Sequence, residues 1–545
     1  MRVAEAIGRA VAQLGVRDAF GLVGSGNFHL ANAMRASGVR FIAARHETGV
    51  VTMADAYARL SGKLGVCTVH QGPGVTNALT GLTEAAKSRT PLLLLAAEAT
   101  APLSNFFIDL EGVARAAGAS HCRIDKPVSA VDELARAAQL AVGERRTVLV
   151  SLPLELQAAE CDVPDGVRQP VEAPVRAAAP ADVDALARML AQASRPLILA
   201  GRGAVLSHAR QPLERLADQS GALLATSAVA AGLFSGSPWN IGISGGFASP
   251  VAAELIQSSD VIVAFGASLN MWTTRRGHLI KPETKVAQVD VDPSALGAHR
   301  GVDLRVVGDC AATASSVSEH LGPHHANGWR SDELQQSRIR HGGWRDQPFE
   351  DISGDGHIDP RTLSIALHGL LPAERTLAVD SGHFMGWPPM YMDVPDGGSF
   401  VFTQSFMSIG LGLATGIGAA IARPDRLTVI ALGDGGALMS LPELETLTRL
   451  GADAVVVIYN DAAYAAEVHH FAPEGASMDT VRFPDTDFAA LARSVGLEAA
   501  TVRSLADLEA VRDWQERGRP KPLLLDAKVV PTVVAEWLEE AFRGH

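Results

Sequence analysis

The sequence predicts an α/β protein of three domains, each with a central, mainly parallel sheet flanked by helices. Three observations carry that expectation. The chain has 545 residues, several times the usual length of a single domain. Short apolar runs alternate with helix-period segments from one end to the other. Two polar stretches rich in Pro, Ala or Gly interrupt the alternation. With 47% hydrophobic and 20% charged residues, the composition can bury large cores and matches an ordinary globular protein.

The opening segment, MRVAEAIGRAVAQLGV, carries Glu5 and Arg9 inside its apolar periodicity and reads as an amphipathic helix, not a secretory signal. VRFIAA, GVCTVH, PLLLLAA and TVLVSLP follow as strands with TGVVTMADAYARL as a helix among them, which defines an N-terminal domain over 1–165. The text then turns into PVEAPVRAAAPADVD, a linker. A central, Rossmann-like domain over 180–325 contains PLILAGRGAV, GALLATSAV, DVIVAFGAS and TKVAQVDVD, strands that end at Gly or Asp. The polar segment 322–358 is the second linker. A C-terminal domain over 355–545 carries RTLAVDSG, LTVIALGDGG, ADAVVVIYND and PLLLDAKVV. Within it the bland run Ser408–Ala422 stops at Arg423 and is too short for a comfortable membrane span, so it reads as a buried helix.

A formal net charge of -13 argues against a nucleic-acid partner, which usually needs a concentrated basic surface. Small molecules are the expected ligands. Cys67, Cys122, Cys161 and Cys310 lie far apart with no C-x-x-C pair, so neither a zinc site nor a disulfide framework is indicated and a reducing cytoplasm fits.

In the third domain the strand LTVIAL runs into Gly433-Asp434-Gly435-Gly436, and the strand AVVVIYN ends at Asn460-Asp461. The interval suits a helix and a return to an adjacent parallel strand. Asp434 and Asn460 are therefore expected to face one cation. Mg²⁺ prefers oxygen donors and commonly completes its shell with phosphates and water. The glycines let backbone N–H groups approach a phosphate, and the helix start beyond them adds favourable dipole charge. An isolated Asp-Gly would be an ordinary turn; the pairing of two strand ends is what points to a diphosphate.

These motifs resemble the thiamine-diphosphate (ThDP) signature of the superfamily of acetolactate synthase, pyruvate decarboxylase and benzoylformate decarboxylase, a GDG followed at similar spacing by Asn-Asn. The resemblance spans the whole chain. Tyr459-Asn460 stands where that superfamily usually has Asn-Asn, with the second Asn retained. The resemblance implies ThDP and Mg²⁺ as cofactors. It implies Asp434, Asn460 and the backbone carbonyl of Ala462 as metal ligands, with Gly433, Gly435 and Gly436 beside the diphosphate. Asp380-Ser381-Gly382-His383-Phe384 resembles the loop that holds the diphosphate, which brings in Gly382 and His383.

Arg45-His46-Glu47 lies between the strand VRFIAA and a helix expected to begin near Thr48. ThDP works through a carbanion or enamine at its thiazolium ring, and a carboxylate beside the pyrimidine nitrogen helps the cofactor's own amino group to remove the ring proton. Glu47 matches the superfamily's activating glutamate; alone it would read as a helix-start carboxylate stabilised by the dipole. Most of the chain separates it from Asp434, so tertiary or quaternary structure must join the two cofactor halves. The resemblance implies the latter: the pyrimidine domain of one subunit facing the diphosphate domain of another, in a homodimer at minimum and commonly a homotetramer. It also implies a bulky apolar wedge that bends the cofactor. Ile409 matches that position, with Met407 as a competitor.

Gly72-Pro73-Gly74-Val75-Thr76-Asn77 resembles the G-P-G-x-T-N loop of acetolactate-synthase-like members and puts Asn77 at the cofactor. His70 matches the active-site histidine of benzoylformate decarboxylases, and Ser25 in FGLVGS matches their substrate-carboxylate serine. Glu47, His70 and Ser25 are thus the expected catalytic set. His70 suits a proton shuttle or plain hydrogen-bonded structure. Thr273 falls where a second histidine is expected, which leaves His29 or His383 to substitute. Glu98 is a candidate site carboxylate, and Glu467, His469 and His470 face a ligand or form a solvated helix face.

The expected activity is decarboxylation of a 2-oxo acid, carboligation, or both, with a 2-oxo acid or an acyloin as substrate. Two alternatives stand beside it. One is an FAD-containing oxidase of the pyruvate oxidase type, although Gly24-Ser25-Gly26 and Gly201-Arg202-Gly203 do not complete a G-x-G-x-x-G fingerprint. The other is a catalytically silent ThDP-binding partner, against which Glu47 argues.

Overall fold

A computed structural model describes residues 1–161, 166–322, 330, 338–403 and 405–537. Parts of the second expected linker, at 323–329 and 331–337, lie outside the described residues, as do 162–165, Gln404 and 538–545. The chain forms three six-stranded sheets in succession, parallel at every pairing between named strands.

In the first sheet, β1 (Asp18–Gly21), β2 (Arg40–Ala43), β3 (Gly65–Val69), β4 (Leu92–Glu98), β5 (Ser120–Arg123) and β6 (Thr147–Pro153) lie in the order β2-β1-β3-β4-β6-β5. In the second, β7 (Pro196–Ala200), β8 (Leu223–Thr226), β9 (Asn240–Ile243), β10 (Val261–Phe265), β11 (Lys285–Asp290) and β12 (Leu304–Val307) lie in the order β12-β11-β10-β7-β8-β9. The third repeats the first, with β13 (Arg375–Val379), β14 (Phe400–Phe402), β15 (Leu427–Gly433), β16 (Ala454–Asn460), β17 (Glu498–Val502) and β18 (Leu523–Lys528) ordered β14-β13-β15-β16-β18-β17. Central strands such as GVCTV, VIVAF and AVVVIYN are buried at every residue. Helices cover both faces, which is why these strands read as unbroken apolar runs and not as alternation.

Each sheet is wound in both directions from its middle. The order reverses between β1 and β3, between β7 and β10, and between β13 and β15. At such a point the connections leave towards opposite faces, and the crevice outside the carboxyl ends of the two strands is open to a ligand. The strand-end segments there are Leu22–Asn27 and His70–Gly74 in the first sheet, the latter running into helix Pro73–Asn77, and Asp380–Gly382 and Asp434–Gly436 in the third, the latter opening helix Asp434–Ser440.

The first and third domains share one apolar core that runs from Phe20, Val50 and Met53 to Ile417, Ile430 and Ile458. Its seam is the packing of helix Glu47–Ser61 on helix Gly412–Ala422. A Cβ at Gly418 would lie 2.3 Å from the Met53 carbonyl oxygen, so this glycine permits the backbones to touch. Helix Gly412–Ala422 starts later than the bland run suggests; Met407 and Gly410 both have positive φ, which turns the chain before it. Two helices, Asp434–Ser440 and Glu443–Leu450, join β15 to β16 where a single one was expected. Among the described residues no helix is long and apolar enough to cross a membrane.

Gly418→Val is expected to force these helices apart at a cost of about 1–3 kcal/mol and to lower the melting temperature of the cofactor-free chain. Gly369→Ala, where a Cβ meets nothing within 4 Å, is the control and should leave that temperature unchanged or raise it.

Candidate active site

Glu47 is the first residue of its helix and is buried. The His46 ring accepts the Thr48 N–H as the cap, and Glu443 of the third domain accepts the N–H groups of Arg45 and His46, each at 3.0 Å. The turn that presents Glu47 is therefore clamped from both domains. The Asn77 amide donates to Glu47 Oε2 at 3.1 Å, and the Thr48 hydroxyl donates to the Asn77 carbonyl. Glu47 and Asn77, far apart in sequence, are thus brought together.

His70 lies at the end of β3 against the first loop. Its Nδ1 accepts the Gly26 N–H at 3.2 Å, and the ring meets Phe106 edge-on at 5.4 Å. The neutral imidazole then carries its proton on Nε2. Burial lowers the His70 pKa from its ordinary value, while the Glu47 charge opposes that shift. Ser25 is exposed on the same loop, which Asn27 braces through Gly24 N–H, the Leu22 carbonyl and the Thr68 hydroxyl. Sequence reasoning passed over Gln71. Its Oε1 is buried with no hydrogen-bond partner among the described residues and is packed against Gly26; a polar residue directly after a buried strand was the available signal.

At the third sheet, Asp434 opens its helix and is buried. Its carboxyl is in hydrogen-bonding contact with that of Asp461. Burial pushes Asp434 up to about 6, and burial with the adjoining Asp434 charge holds Asp461 well above the usual carboxylate range. A buried and a half-buried carboxylate in contact repel unless a proton or a cation lies between them, and an all-oxygen donor pair suits a hard divalent cation.

Asn460, expected to face the same cation, is held in a different network. Its amide donates to Asp526 at 2.9 Å, to the Thr486 carbonyl at 3.3 Å and to Asp485 at 3.4 Å, and its Oδ1 accepts the Ala462 N–H at 3.2 Å. Lys528 closes that network on Asp526 and Asp485. Asn460 therefore anchors the turn, and Asp461 is the side chain that reaches Asp434. The Ala462 carbonyl is likewise engaged, accepting the Phe483 N–H at 2.8 Å. Strand alternation explains the one-residue shift: Val456 and Ile458 face the core shared with Leu524 and Phe488, and Asn460 continues that face.

Close approach dictates the glycines of this loop. A Cβ at Gly435 would lie 2.5 Å from the Tyr464 ring, and one at Gly436 would lie 2.4 Å from Asp380 Oδ2. Gly433 ends β15, and Gly382, with φ +133, ends the neighbouring loop. Buried Asp380, pushed up to about 6 by desolvation, accepts the Ser381 and Gly410 N–H groups. Phe384 stacks on Tyr459 at 5.4 Å, which gives the aromatic residue before Asn460 a packing role.

Residues 1–119, 183–317 and 380–527 match the models of the N-terminal TPP binding domain, the central domain and the C-terminal TPP binding domain of thiamine pyrophosphate enzymes. The chain belongs to the thiamine pyrophosphate enzymes. It is acetolactate-synthase-like within them. The acetolactate synthase large subunit of Parasynechococcus marenigrum (strain WH8102) is 26% identical over 96% of this chain and 87% of its own length. The sulfoacetaldehyde acetyltransferase of Rhodobacter capsulatus is 27% identical over 100% of this chain and 96% of its own. The acetolactate synthase isozyme 2 large subunit of Escherichia coli (strain K12) is 26% identical over 94% and 93%.

The residues present fit the cofactor of this thiamine pyrophosphate enzyme: paired carboxylates for a cation, bare backbone beside them, and the Glu47–Asn77 pair. Other candidates have different settings. Glu98 is ion-paired with Arg123 at 2.8 Å. His29 is exposed. His383 accepts the Ala535 N–H at 3.0 Å and lies 4.4 Å from the His469 ring, and burial pushes it down to about 3, so it stays neutral. Glu467 and His470 are half-buried on helix Ala465–Phe471.

Asp461→Ala should weaken cation-dependent ThDP binding by about tenfold or more, as Asp434→Ala should, because each would remove one carboxylate of the pair that fits a cation. Calorimetry with and without the cation checks this. Asn460→Ala should instead lower thermal stability first, since it unpairs Asp526.

Proposed function

We propose that the chain is a ThDP- and Mg²⁺-dependent enzyme that decarboxylates a 2-oxo acid and passes the remaining acyl unit to a small acceptor. The observation that carries this reading is a pair of half-sites at two sheet crevices: buried Glu47 with Asn77 at one, Asp434 with Asp461 at the other. ThDP bound there supplies the acidic ring carbon needed to break or form a C–C bond beside a carbonyl. Everything else falls to the chain's own groups.

Glu47, oriented by Asn77, would share a proton with the pyrimidine nitrogen. Asp434 and Asp461 would hold Mg²⁺, and the backbone at Gly433, Gly435, Gly436 and Gly382 would border the diphosphate. Met407 packs against the third domain's core. Ile409 is half-buried and is not among the side chains of that core, which favours it as the wedge. His70 offers an Nε2–H donor, and exposed Ser25 would meet the substrate carboxylate. The names of the relatives, a synthase of acetolactate and an acetyltransferase, support acyl transfer over simple hydrolysis.

A homodimer is the minimum assembly in this reading and a homotetramer the expected one. Phe28, Phe106, Leu438 and Met439, beside the two half-sites, are 53%, 42%, 46% and 56% exposed, an apolar surface that a second subunit would cover. Among the described residues Cys67, Cys122, Cys161 and Cys310 form no disulfide, in keeping with the cytoplasm. A second reading adds FAD: a cleft of about 2870 Å³ runs along the middle sheet's crevice past Arg202, Gly266 and Asp290, room enough for a nucleotide, and a yellow protein would favour it.

Glu47→Gln should retain ThDP affinity within a few-fold while lowering kcat on 2-oxo acids by about 10²–10⁴; undiminished turnover would remove Glu47 from its role. Burial depresses His70, so its neutral form prevails at pH 7 and activity falls only as acidification protonates the ring, below its ordinary value of 6.5. His70→Ala should abolish that acidic limb and reduce kcat by about 10².

A further inference from the structure

The segment that carries the wedge, 405–410, belongs to the third domain but is not held by that domain alone. From below, Asp380 accepts the Gly410 N–H at 2.8 Å, and the Ser381 hydroxyl donates to the Thr403 carbonyl at 2.8 Å. From the side it is gripped by the first domain. Glu84, on helix Leu79–Lys87, accepts the Ser405 N–H on Oε1 at 3.1 Å and the Phe406 N–H on Oε2 at 2.6 Å. Ser88, one turn on, donates to Ser405 Oγ at 2.8 Å or to Glu84 Oε1 at 3.3 Å.

Glu84 is 1% exposed, and a carboxylate so deeply buried is costly unless hydrogen-bonded and paired. Its partners are those two consecutive backbone N–H groups, the Ser88 hydroxyl and Arg59 at 3.8 Å. Arg59 itself donates to the Phe402 carbonyl, on the near side of the same segment. Half-buried Arg202 of the middle domain donates to the Ser88 carbonyl, so all three domains converge here. Clamping two successive N–H groups fixes the peptide planes directly before Met407, whose φ of +62 begins the turn to Ile409.

We propose that Glu84 is a positioning residue for the cofactor wedge, holding the Ser405–Ile409 segment at the height that ThDP bending requires. The proposal rests on the wedge role given to Ile409 above. Helix Leu79–Lys87 then serves two sites: the short helix Pro73–Asn77 directly before it ends on Asn77, partner of Glu47, and its own last turns carry Glu84. A site needs groups held to within about 0.5 Å, and a carboxylate with both oxygens bonded to one strand of backbone supplies such a hold where an apolar contact would not.

The test compares wild type, Glu84→Gln, Glu84→Asp and Ile409→Ala. Glutamine keeps the size but offers one acceptor; aspartate keeps the charge opposite Arg59, and hence the fold, but is too short to reach both N–H groups. Amide hydrogen exchange of the cofactor-free chains should be about tenfold faster or more within 405–411 in both Glu84 variants, with helix Glu47–Ser61 unchanged. On reconstitution with ThDP and Mg²⁺, the near-ultraviolet dichroism of bound cofactor should weaken in both Glu84 variants and in Ile409→Ala, and kcat should fall about tenfold with KM within about twofold. Unchanged exchange in 405–411 would overturn the role of Glu84. Faster exchange with an undisturbed dichroic signal in the Glu84 variants would overturn it too; if Ile409→Ala also leaves that signal unchanged, the wedge reading has failed, and if Ile409→Ala alone alters it, only the link to Glu84 has.

Discussion

A parallel sheet wound in both directions from its middle leaves one crevice it cannot fill, and the rest of this molecule is arranged around that constraint. The connections after β1 and β3 depart to opposite faces, as do those after β13 and β15. The strand ends between them must be short, polar and rich in glycine, because no helix lies across them. Gly24–Asn27 and His70–Gly74 occupy one such crevice; Asp380–Gly382 and Asp434–Gly436 occupy the other. Buried apolar strands hold these loops rigidly, so the chemistry can rest on loops without being loose.

The two crevices are tied together by the backbone contact of helices Glu47–Ser61 and Gly412–Ala422. Glu443 caps the turn before Glu47 from the third domain, and Glu84 grips the turn after Phe402 from the first. The exchange is reciprocal: each domain uses a buried carboxylate to fix a functional loop of the other. Such bonds are directional where core packing is not, which suits domains that each present one half of a cofactor site.

Much of this was legible in the sequence. Alternating apolar runs announced three parallel sheets, because strands buried on both faces carry no polar alternation to confuse the pattern. The places of Glu47, Asn77 and Asp434 in the fold were legible because their motifs tie residue type to backbone geometry. Asn460 was not, and the reason is a one-residue ambiguity. Tyr459-Asn460-Asp461 offers two oxygen donors in succession, and only the pleat decides which leaves the sheet; Asn460 turns to Asp526 and Lys528, distant partners that no local pattern contains. Glu84 was illegible for a related cause. Inside a helix with ordinary spacing it looks like a solvated charge, and its burial depends on Ser405 and Phe406, more than half the chain away. Gln71 and the His383–His469 contact likewise depend on neighbours that only the fold supplies.

The central claim, that one cofactor spans Glu47 at its pyrimidine end and Asp434 with Asp461 at its diphosphate end, is tested most directly by a crystal structure of the chain with ThDP and Mg²⁺. The Glu47 carboxylate should lie within hydrogen-bonding distance of a pyrimidine nitrogen and the metal between the Asp434 and Asp461 carboxylates, with Asn460 still on Asp526. A metal held by Asn460 while Asp461 stands away, or a cofactor that no Glu47 side chain in the crystal touches, would contradict it.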